Sequence, residues 1–160
     1  MLIEELYDAL NHPLDLKKAL ILIKQGVNLT TYLQGEASWG ILGDAFYQYD
    51  NSDISREVIF ELLRRGAPIN PPEIKDETPL HALIKYSSSE FLYHFELIQY
   101  LLESGANPNI ITSMPFDGNI LVDSIKDLKI SKLLLDYGAL YNKAIPKGFI
   151  NTNALHFLKK

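Results

Sequence analysis

The residues best equipped for chemistry in this 160-residue chain are paired acids and four histidines. Asp50 with Asp53, Asp76 with Glu77, and Glu4 with Glu5 each bring two carboxylates close together in sequence. Such a pair performs acid–base work when a partly dry cleft drives the two pKa values apart. Each pair here falls in an expected loop, turn or helix start, where acids stabilise the local backbone. His12 and His94 have no metal-ligand spacing to each other or to carboxylates. The chain has no cysteine, which excludes thiolate nucleophiles, disulfides and cysteine-bound zinc. A glycine-rich phosphate loop, a nucleophile elbow and a zinc helix motif are all missing from the sequence. The residues therefore predict no catalytic centre, no metal site and no cofactor. A small hydrolase or transferase built on the acidic loop pairs is the rival class.

Bulk properties point the same way. At 47% hydrophobic and 22% charged residues, the chain suits one globular domain with a sizeable core. A net charge of -5 disfavours nucleic acid, whose phosphates require a basic face. It suits a neutral or basic protein partner. The opening Met1-Leu2-Ile3-Glu4-Glu5-Leu6 carries acid where a secretory signal carries base. No apolar run approaches the roughly 20 residues that span a bilayer. These features predict a soluble, cytoplasmic protein without membrane contact. Asn28-Leu29-Thr30 fits a glycosylation acceptor only by chance in that setting.

The elements that would position any site repeat along the chain. Four apolar helical runs end in Gly26, Gly66, Gly105 and Gly138. In Val58-Ile59-Phe60-Glu61-Leu62-Leu63-Arg64-Arg65-Gly66 the apolar residues recur at helical spacing and so bury one face. The closing glycine suits the left-handed position just beyond a helix. After it the chain turns: Gly66-Ala67-Pro68-Ile69-Asn70, Gly105-Ala106-Asn107-Pro108-Asn109 and Gly138-Ala139-Leu140-Tyr141-Asn142. A second element, Thr78-Pro79-Leu80-His81-Ala82-Leu83, precedes the third of these helices. Thr78 suits a helix cap and Pro79 a first turn. Leu42, Leu121 and Leu155 mark the matching stretches elsewhere.

Thr-Pro-Leu-His followed by Leu-Leu-x-x-Gly-Ala-x-x-Asn resembles the ankyrin repeat. The resemblance implies an all-α solenoid of paired antiparallel helices joined by extended hairpin-like turns. It divides residues 1–160 into a capping repeat (1–29), three repeats (30–70, 71–109 and 110–142) and a partial cap (143–160). Helices are expected near 2–11 and 15–25 in the first unit. Units two and three exceed the usual length of about 33 residues. The excess is expected between their two helices, as a longer connection or, in unit three, an extra helical turn. The resemblance also implies that His81 and His156 bond the backbone of a neighbouring loop.

What this resemblance implies for function is protein binding on the concave side, along the turns and first helices. Positions not needed for packing are the candidates: Glu36, Trp39, Tyr47 and Gln48 in unit two; Ile74, Lys75, Glu77, Lys85 and Tyr86 in unit three; Phe116, Lys126 and Asp127 in unit four; and Phe149 before the last helix. The aromatics among them suit an interface anchor. Together with its small size, the resemblance suggests a bacterial immunity protein that blocks a toxin, or an effector that engages a host protein. A monomer or weak self-association through the open end of the stack is expected.

Overall fold

The computed structural model describes residues 2–11, 14–30, 40–71, 78–86, 93–110, 120–124 and 127–140. Among these residues there are eight helices and no strand: α1 (Leu2–Asn11), α2 (Leu16–Lys24), α3 (Gly40–Tyr47), α4 (Asp53–Arg64), α5 (Pro79–Tyr86), α6 (His94–Glu103), α7 (Ile120–Asp123) and α8 (Leu128–Asp136). They alternate in two layers. First helices α1, α3, α5 and α7 stack in order, and among the second helices α2 packs on α4 and α6 on α8. The fold is the expected all-α repeat.

Local sequence explains where the second helices start and stop. Asp15, Ser52 and Asp127 cap α2, α4 and α8, each side chain accepting a backbone N–H of the first turn. At the far end Gly26, Gly66, Gly105 and Gly138 all take positive φ, between 77° and 94°. In the last three units the following alanine closes the turn. The N–H groups of Ala67, Ala106 and Ala139 each donate to a helix carbonyl at 2.9 Å, those of Leu62, Leu101 and Leu134.

The core is one continuous cluster running from Ile3 to Ala139. The frame leucines Leu42, Leu80 and Leu121 are buried within it, and so is Leu62, Leu101 or Leu134 from the facing helix. Each unit thus hides one stripe from each helix, and neighbouring units cover what is left.

The extra length of unit two lies partly elsewhere than expected. The connection at 48–52 is short, and α4 is 12 residues long against 9 in α2 and α8. Ser52 explains this, because its cap starts α4 early and adds most of a turn. In unit three α5 ends at Tyr86 and α6 begins at His94, and of residues 87–93 only Tyr93 is described.

Candidate partner-binding surface

The turns that edge the stack are locked to one another by asparagine. Asn70 donates its Nδ2 to the Gly105 carbonyl at 2.7 Å, and its Oδ1 accepts the Asn107 N–H at 2.9 Å. Asn109 repeats this one unit on, with the Gly138 carbonyl at 2.8 Å and the Leu140 N–H at 2.7 Å. A carboxamide sets an NH2 donor and a carbonyl acceptor side by side in one plane, so it can satisfy two backbone groups of the next turn. Each clasp sets the spacing and orientation of consecutive turns.

Thr78 and His81 hold the start of α5. Both are buried. The Thr78 hydroxyl accepts the His81 N–H at 3.2 Å and lies 2.8 Å from His81 Nδ1. The described partner of His81 is therefore its own helix cap, whereas a neighbouring loop was expected. His81 Nε2 has no partner among the described residues. Burial drives the His81 pKa down to about 4, with Lys85 adding to the effect, so the ring is neutral at pH 7. His156 lies outside the described residues.

Two of the acid pairs lie among the described residues, where Asp50, Asp53 and Glu5 make the following contacts. Asp50 Oδ1 accepts the Ser52 N–H at 3.0 Å and the Ser55 hydroxyl at 2.6 Å, and these bonds keep its carboxyl below the usual range. Asp53 pairs with Arg56 at 2.6 Å. Glu5 lies 4.0 Å from Lys18, both exposed. Asp76 and Glu77 lie outside the described residues. Among those described, no three His, Asp or Glu side chains are placed to hold a metal ion.

Of the candidate binding residues, the structure places four in full. Tyr47, at the end of α3, is 49% exposed. Gln48 follows it and is half-buried, as is Lys85 on α5. Asp127 is exposed but spends Oδ1 on the Lys129 and Ile130 N–H groups, as the cap of α8. Tyr86 is the last residue of α5. Glu36, Trp39, Ile74, Lys75, Glu77, Phe116, Lys126 and Phe149 lie outside the described residues.

Residues 75–113 match the ankyrin-repeat family model. The chain carries an ankyrin repeat. The match takes in α5, α6 and the Gly105 turn, and so includes the Thr78–His81 cap, the Gly105 and Asn107 groups that Asn70 clasps, and Asn109 itself. No curated protein matches the chain. Ankyrin repeats serve as protein-binding modules, and among the described residues no helix is long and apolar enough to cross a membrane.

Sequence reasoning missed several exposed apolar side chains. Ile21, Phe60 and Tyr100 stand on the outer helices α2, α4 and α6, and Tyr93 and Phe95 stand where α6 begins. Ile21, Phe60 and Tyr100 fall five or six residues before the turn glycine in three successive units, a register that a comparison of the units would have revealed.

Proposed function

We propose that this protein binds a partner protein on the edge formed by its turns and first helices, and that it does not catalyse a reaction. The ankyrin repeat at 75–113 carries the reading. The clasps support it, because they present successive turns at fixed spacing, which lowers the entropic cost of docking. The partner is neutral or basic, in keeping with the charge of -5. A stable complex of this kind buries about 800 Å² on each side.

Trp39, Tyr86 and Phe116 are the proposed anchors. Replacing all three by alanine should abolish capture of the partner while far-ultraviolet circular dichroism stays unchanged. Full affinity in the folded triple variant would contradict the assignment. Within this reading the protein acts as an immunity protein or as an effector. An adjacent toxin gene, and inhibition of that toxin by this chain, is the result expected for immunity.

A further inference from the structure

Unit three enters its second helix differently from its neighbours. Polar side chains cap α2, α4 and α8, but α6 follows Tyr93, which sits in the left-handed region (φ 67°, ψ 17°) and makes no side-chain cap bond. For a bulky residue this conformation is strained, and such strain concentrates where a side chain must be presented. Tyr93 is 50% exposed and Phe95 is 37% exposed. Both line an open groove of about 390 Å³ between the starts of α6 and α8, together with Glu96, Asp127, Lys129 and Ile130.

The groove has the chemistry to hold a cation. Its described charges are two carboxylates, Glu96 and Asp127, against one ammonium, Lys129. His94, which also lines it, is half-buried and lies 2.9 Å from the Leu83 carbonyl through Nε2, and burial holds its pKa low. It therefore adds no charge at pH 7. The molecule already shows that this aromatic accepts a guanidinium, because Arg56 lies over the Tyr93 ring at 5.8 Å. Asp53 offsets the Arg56 charge at 2.6 Å.

We propose that this groove is a second docking site, which takes an arginine or lysine side chain of a basic protein segment against Tyr93 and Phe95, with Glu96 and Asp127 supplying the counter-charge. The occupant follows from the charge balance of the groove and of the whole chain, and from the affinity of aromatic rings for cations. The site uses none of the proposed anchors Trp39, Tyr86 and Phe116, so its failure would leave the binding role of the turn edge standing.

Titration of the full chain with a hexa-arginine peptide, followed by amide NMR shifts, tests the proposal. Saturable shifts are expected at Tyr93, Phe95, Glu96 and Ile130. Tyr93→Ser and Glu96→Gln should each weaken binding by about fivefold, the scale of one partly exposed cation–aromatic or ionic contact. Tyr93→Phe should bind as the parent does, and Lys129→Glu should bind more tightly. Should Tyr93→Ser fail to fold, the Glu96 and Lys129 variants decide. A groove that stays silent, or unchanged affinity in Glu96→Gln and Lys129→Glu, would overturn the proposal. So would saturable shifts of the same amides with inorganic phosphate, because the two helix N-termini would then be selecting an anion.

Discussion

The joint between units one and two and the two later joints solve one problem with different chemistry. Later joints use the neutral Asn70 and Asn109 clasps, each made of two hydrogen bonds to backbone. The first joint uses charge. Arg65 reaches back to donate to the Lys24 carbonyl at 2.9 Å, and Lys24 pairs with Glu57 at 2.7 Å. Glu61 holds Arg65 at 2.9 Å and Arg64 at 2.6 Å. Thr30 stands four residues after Gly26, the place that Asn70 and Asn109 occupy after Gly66 and Gly105. Its hydroxyl is too short to span a joint and donates to Asn28 Oδ1 at 2.7 Å instead. A one-residue change at the clasp position thus obliges the next unit to supply the connection. The stack should respond to salt and acid at its first joint and be indifferent to salt at the others.

The largest expected effect tests the shared core. Leu80 is buried on α5, which packs on both α3 and α7. Leu80→Ala should cost about 2–5 kcal/mol in urea unfolding by loss of transfer energy and creation of a cavity. A loss confined to units three and four would show that the joints uncouple before the core does.

Acid comes next. His81 titrates near 6.5 when unfolded and at about 4 when folded. The unfolded chain therefore binds the extra proton between these values. Stability should be complete above pH 6.5 and fall through the window to pH 4, by roughly 3 kcal/mol from this group. His81→Gln should flatten that slope in unfolding curves taken across the window. Glu61 acts lower: Arg64 and then Arg65 depress its carboxyl to about 2, so its contribution is present above pH 4.5 and fades below it. The first joint should therefore open before the asparagine joints as the pH falls from 4.5 towards 2.

Smaller effects separate the joints directly. Asn109→Ala should cost about 1–2 kcal/mol, the net worth of two hydrogen bonds, and the loss should be the same at low and high salt. Arg65→Ala should cost less than about 1 kcal/mol, and that difference should vanish in 1 M salt, because exposed ion pairs are screened. Unit-resolved hydrogen exchange reads both.

These contrasts explain what the sequence disclosed. The turn glycines, buried leucines and Thr78–Pro79 start are local features, so helical periodicity and cap chemistry reveal them. Asn70 was visible as a repeated letter, but its bonding partners stand 35 and 37 residues further on and leave no local trace. Asp127 was legible as a helix cap, since an acid preceding a helical run is a start signal, and it was also a binding candidate as a position at the far end of the first helix that packing leaves free. Tyr93 gave no warning: nothing local marks a tyrosine for the left-handed region. Most of the proposed binding residues fall in sequence between the turns and the first helices, where no periodic pattern guides a reading.

The proposed binding edge decides what the stack does. A photo-crosslinking amino acid placed singly at Tyr47 and Lys85 on first helices, and at Ile21 and Lys132 on second helices, tests it most directly in the source cell. One partner protein should be captured from Tyr47 and Lys85, and none from Ile21 or Lys132. Capture from the second-helix positions alone would contradict it.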